Sequence, residues 1–219
     1  MAEYIYVDGI KVKLKVTIGR RLSYRASVAS NELLCCVPRG LSARSVNEFV
    51  ASTVQKKREE EVFNVYKNGG FMYLFGEKLP VKMCEWEEKK TKFLPLEGTM
   101  YIAVAEKEKY PIDAIARRFY VKTLTKRIAE RMPVMETYVG LHCISWKVSS
   151  YHAAWGKCNN KEKTITFSPD LATQKPEFID TVIIHELGHL LYPNHGEEFQ
   201  KYMDKFAPDH RKILRNALK

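Results

Sequence analysis

The eleven residues His185-Glu186-Leu187-Gly188-His189-Leu190-Leu191-Tyr192-Pro193-Asn194-His195 constrain this chain more than any other stretch. Residues four apart on an α-helix stand one above the other on the same face. His185 and His189 therefore offer two imidazole nitrogens to one metal ion. Glu186 lies about one-third of a turn away, within reach of a metal-bound water without being a ligand. Pro193 cannot continue the helix and pushes Tyr192 toward extended backbone. The chain then turns at Asn194 and brings His195 back toward the metal, which a straight helix would not do. Three protein ligands and one open position make a catalytic zinc site, whereas four make a closed structural one. The pattern predicts one Zn2+ per chain, held by His185, His189 and His195, with Glu186 as general base on a metal-activated water.

The bland alternative is a buried helix with incidental histidines. Three of the chain's six histidines fall within this stretch, which argues against it. The flanks support a helix as well. Pro176 suits a first helical turn, and Glu177 and Asp180 suit the positive end of the helix dipole. Val182, Ile183, Ile184 and Leu187 demand burial, and a buried, unpaired carboxylate is expensive. Zinc and its water would offset that cost for Glu186.

The length of 219 residues allows one large domain or two small ones. No run of 18 apolar residues exists, so no membrane span is expected. The start Met1-Ala2-Glu3-Tyr4 lacks the features of a signal peptide. Cys35, Cys36, Cys84, Cys143 and Cys158 form no Cys-x-x-Cys pair and read as reduced thiols in a cytoplasmic protein. The net charge of +10 would attract nucleic acid or acidic partners. Yet bases and acids alternate, as in Lys56-Lys57-Arg58-Glu59-Glu60-Glu61, which reads as a solvated helix face. The densest basic stretch is the C-terminal one, with His210, Arg211, Lys212, Arg215 and Lys219.

Strand signals fill the first hundred residues. Asp8-Gly9 between Tyr4–Val7 and Lys11–Ile18 marks a hairpin. Tyr24–Ala29 and Leu33–Val37 continue the sheet. A helix capped by Ser42 or Ser45 is expected to run to about Asn68 and close at Gly69-Gly70. Phe71–Phe75 and Lys78–Cys84 form a second hairpin around Gly76-Glu77, and Thr99–Val104 a further strand. Pro111 opens a long helix that Pro133 kinks or splits and Gly140 ends. His142–Val148 and Thr164–Phe167 read as strands, and no repeat appears. The expectation is an α+β fold. A β-rich part spans residues 1–105 and a mainly helical, metal-binding catalytic part spans 106–219. No Pro/Gly/Ser-rich linker separates them, so one shared core and two domains both remain open.

His185, Glu186, Leu187, His189, Leu190, Asn194, His195 and Phe199 fit the pattern HELxHLxxxNHxxxF, and Trp155-Gly156-Lys157-Cys158 fits Trp-Gly-x-Cys. Pro176, Ile179, Asp180 and Val182 fit a helix start between them. In these features the chain resembles the YgjP-like family of metal-dependent hydrolases, within the zincin group of metallopeptidases. One departure is Ala154, where that family usually has Arg. The resemblance implies a zincin-like fold for residues 106–219 and a peptide or protein substrate laid along an edge strand. Either His142–Val148 or Thr164–Phe167 is expected to be that strand, bordering the metal and pairing with the substrate backbone. Metzincins share the histidine spacing. They need Gly where this chain has Tyr192 and a Met-turn, whereas Met203 falls in a helical pattern with Phe199 and Phe206.

The loop before the metal helix carries Tyr151, His152, Trp155 and Cys158. Tyr151 or His152 would hydrogen-bond the oxyanion of a tetrahedral intermediate, with Trp155 on the cleft wall. The plainer reading packs Trp155 in the core, places Gly156 in a turn and buries Cys158. A nucleophilic Cys158 would need a positioned base, and the obvious histidines are claimed by the metal. The leading function is a zinc-dependent hydrolase, a metallopeptidase. The alternative is a metal-binding interaction module for nucleic acid or protein with little or no hydrolysis, motivated by the net charge. Glu186 separates the two, since a structural site has no use for a carboxylate beside the water.

Overall fold

The computed structural model describes residues 3–7, 10–27, 31–59, 64–149 and 154–217. Strands β1 (Glu3–Val7) and β2 (Ile10–Gly19) pair antiparallel, with Val7 opposite Ile10. The Asp8-Gly9 turn expected between them lies outside the described residues. Strands β3 (Ser23–Ser27) and β4 (Glu32–Pro38) complete a sheet of order β1-β2-β4-β3, in which β2 and β4 run parallel. Period-two alternation puts Val12, Leu14, Leu33 and Cys35 on one buried face. Helix α1 (Ala43–Glu59) covers that face with Phe49, Val50 and Val54.

The helix does not reach Asn68, because residues 64–66 are irregular. Asn64 is held by other bonds. Its N–H donates to Asn31 Oδ1 at 3.1 Å, and its carbonyl accepts from Asn31 Nδ2 at 3.0 Å. Its side-chain oxygen accepts from the Tyr73 amide at 2.9 Å. Buried polar groups need partners, and this pair supplies them without helical geometry.

Strands β5 (Phe71–Leu74) and β6 (Glu77–Trp86) join through Phe75 and Gly76, both at positive φ, as a type I′ turn requires. Strands β7 (Lys92–Leu96) and β8 (Thr99–Ala105) join the same way through Glu97 and Gly98. The sheet order is β5-β6-β8-β7. Pro95 hides β7 in the sequence, and β7 lies at the edge of its sheet, where a residue without an N–H is tolerated. The two sheets repeat one topology. In both, the parallel partners stand 19 residues apart, Lys13 with Glu32 and Val81 with Met100. This corrects the expectation of no repeat: at an offset of 67 residues the buried Val12, Leu14, Leu33 and Cys35 correspond to the buried Leu79, Val81, Met100 and Ile102.

Helix α2 (Ile112–Val139) runs through Pro133 without the expected split. Pro133 is exposed, so the carbonyl it leaves without a donor meets solvent. Tyr120, Leu124, Ile128, Met132, Met135 and Val139 form the buried stripe of this helix. Strands β9 (Ser145–Val148), β10 (Gly156–Asn159) and β11 (Thr164–Phe167) follow, in the order β10-β11-β9. A 3-10 turn at Pro169–Thr173 leads to α3 (Pro176–Gly188), α4 (Glu197–Phe206) and α5 (His210–Arg215). The fold is α+β, β-rich first and mainly helical after.

Contacts divide the chain into two compact units, one of residues 1–73 and 78–116, the other of 74–77 and 117–218. Among the described residues, no helix is long and apolar enough to cross a membrane.

Candidate metal centre

The apolar residues Phe178, Ile179, Val182, Ile183 and Leu187 bury α3. His189 is the helix C-cap, still in right-handed helical geometry, and its N–H bonds the His185 carbonyl. The i, i+4 relation of the two histidines therefore survives although the helix ends at Gly188. The chain then turns through Tyr192-Pro193-Asn194 and returns His195. The Nε2 atom of His185 lies 3.2 Å from His189 Nε2 and 3.0 Å from His195 Nε2. One ligand nitrogen from each of the three falls within 4.8 Å of the others. Two nitrogens at zinc–nitrogen distances of about 2.0–2.1 Å on one tetrahedral ion stand roughly 3.3 Å apart. The donor set fits such an ion.

Burial, then repulsion from His189, His195 and His210, pushes His185 down to about 3. Burial likewise lowers His195, with His189 adding to it. Neutral imidazoles are the form that lends a lone pair to a metal.

Glu186 is 4% exposed, and its Oε2 has no protein hydrogen-bond partner. Burial pushes its carboxyl up to about 7, while a hydrogen bond from the Cys158 amide works the other way. The cleft in front of it measures about 340 Å³. The histidine triad, Glu186, Ala154 and the strand residues Gly156, Lys157 and Cys158 line it. The strand at the cleft is thus β10, not His142–Val148 or Thr164–Phe167. Gly156-Lys157-Cys158-Asn159 has little strand propensity of its own. It becomes a strand by pairing antiparallel with β11, which lies between it and β9.

Trp155 meets Phe178 of α3 edge-on, with ring centroids 5.2 Å apart. Burial raises Cys158 to about 11, which keeps it a thiol. Tyr151 and His152 lie outside the described residues.

The sequence match to the YgjP-like metallopeptidase domain runs over residues 22–219. The chain belongs to the YgjP-like metallopeptidase family. Among solved structures it is similar to the crystal structure of the metallopeptidase zymogen of Pyrococcus abyssi abylysin. That likeness has 20% identity, covers 39% of this chain and 85% of the other, and has a TM-score of 0.36. No curated protein matches the chain.

Four residues of this YgjP-like domain carry roles that their local sequence does not assign. Phe199 of α4 stacks on the His189 ring at 4.7 Å and 17°. It also meets His185 and His195 edge-on, each at 4.9 Å. Its place in the family pattern is the one signal that points to it. Tyr202 donates its hydroxyl to the Ile184 carbonyl at 3.1 Å. Its ring lies where a Cβ at Gly188 would be, which explains glycine inside the motif and brings α4 close against α3. Asp180 takes a two-pronged grip from Arg131 of α2, at 2.9 and 2.8 Å. No local pattern announces that pair.

Proposed function

We propose that this chain is a zinc-dependent peptidase with one metal ion held by His185, His189 and His195. The observation that carries the reading is the convergence of three imidazole nitrogens beside a buried carboxylate oxygen with no protein partner. Zinc bound there polarises a scissile carbonyl and lowers the pKa of a water to about 7. Glu186 takes the proton of the attacking water at its carboxylate and passes it to the leaving nitrogen. Strand β10 stands at the edge of its sheet beside the cleft, so its backbone groups pair with an extended peptide and hold it across the site. The catalytic part is residues 106–219. All five cysteines are unpaired, which fits a reducing cytoplasmic compartment.

The test is Glu186→Gln, assayed on a peptide library together with zinc content. The expected outcome is about one zinc per chain in both proteins and a loss of roughly 10²–10⁴-fold in kcat, the usual contribution of general-base help. Full activity in the variant removes Glu186 as the base. Failure of the wild type to hold zinc after re-addition removes the metal site.

A further inference from the structure

We propose that Asn160 is a positioning residue of this centre, fixing through the backbone the direction in which His189 points its Nε2. The inference deepens the zinc reading above and rests on it. A helix end leaves carbonyls without helical donors. In α3 the His185, Leu187 and Gly188 carbonyls are taken by the amides of His189, Leu190, and Leu191 with Tyr192. The next two carbonyls fall where the chain turns and Pro193 has no N–H to give. Both are met by one side chain. Asn160 Nδ2 donates to the His189 carbonyl at 2.8 Å and to the Leu190 carbonyl at 2.8 Å. A side-chain amide has two N–H groups, so one asparagine holds both.

The segment held in this way carries the Tyr192 carbonyl, which lies 2.8 Å from His189 Nδ1. A carbonyl only accepts, so Nδ1 carries the proton and the Nε2 lone pair is left facing His185 Nε2. Asn160 comes from the turn between β10 and β11 and also lines the cleft. One side chain therefore ties the strand beside the cleft to the backbone that orients a ligand.

Asn160→Asp keeps the shape, but the ionised carboxylate only accepts and repels both carbonyls. Asn160→Ala removes the group and serves as the second variant. The first readout is the His189 tautomer, from ring 15N shifts of metal-free protein. The wild type is expected to hold Nδ1–H, and both variants to mix the two tautomers. The second readout is zinc affinity by chelator competition, expected to weaken about 10- to 100-fold, as for other residues behind a ligand. A His189 that keeps pure Nδ1–H in both variants overturns the inference, whatever the zinc affinity does. Because the tautomer is read without metal, a wild type that binds no zinc overturns the proposed function and leaves this test standing.

Discussion

Gly156 leaves the space that Glu186 occupies: a Cβ at position 156 would stand 2.6 Å from both Cγ and Oε1 of Glu186. The backbone of Gly156 is not in the left-handed region, so the glycine answers to proximity and not to a turn. Strand β10 passes so close to α3 that only a residue without a side chain fits. The same strand gives Glu186 a hydrogen bond from the Cys158 amide. Gly156→Ala is expected to displace the carboxylate and lower kcat by about 10²-fold, the usual effect of a shift near 1 Å. Zinc content should hold, because none of the three histidines touches position 156 in this way. A variant with wild-type kcat would show that the carboxylate need not stay where it is.

Phe199 is 1% exposed and touches all three imidazoles. Truncating such a ring to Ala costs about 3–5 kcal/mol through lost transfer energy and a cavity. Phe199→Leu keeps part of the volume and should cost less. In both variants zinc affinity should fall along with stability, since the rings lose the surface that packs them. Urea melts with and without zinc separate the two effects. Loss of stability with unchanged affinity would reduce Phe199 to a core residue.

Arg131 and Asp180 join α2 to α3, the helix of His185 and Glu186. Both are partly exposed, at 28% and 21%, so solvent screens the pair. Arg131→Lys keeps the charge but loses the two-pronged geometry. It is expected to destabilise by about 1–2 kcal/mol, in the range of a hydrogen bond to a charged group. A double-mutant cycle with Asp180→Asn reads the coupling, and a coupling of zero would mean the pair contributes nothing.

Cys35 supplies a pH prediction away from the metal. It is wholly buried in the first sheet, and burial raises its thiol to about 11. A thiol raised in the folded state stays neutral there while the unfolded thiol ionises near 8.5. Its stabilising share is complete below that pH and is lost as pH rises toward 11, with a slope of up to about 1.4 kcal/mol per pH unit. Denaturant melts from pH 8 to 11 should show this decline. Cys35→Ala, though less stable at neutral pH, should decline less steeply. Parallel curves would assign the alkaline loss to other groups.

Much of the metal centre is legible in local chemistry alone. Helical period aligns His185 with His189, and Pro193 ends the helix so that His195 can return. The apolar neighbours of Glu186 make its burial unavoidable. Alternation in Lys11–Val16 and in Leu33–Val37 likewise announces strands with one buried face. These signals act over a few residues, where backbone geometry alone relates the side chains.

The rest depended on contacts that the chain makes only once folded. Asn160 meets the end of α3 across 29 positions, and Arg131 meets Asp180 across 49. Strand β10 has the composition of a loop and becomes a strand only by pairing with β11. Gly156 needs its lack of a side chain because of a helix that begins about twenty residues later. The recurring strand plan of the first two sheets shares few identical side chains, because backbone pairing sets topology while many different residues satisfy the same buried face. Local spacing along the chain settles which groups can bind a metal and move a proton; long-range packing settles what holds them in place, because that support comes from residues distant in the chain.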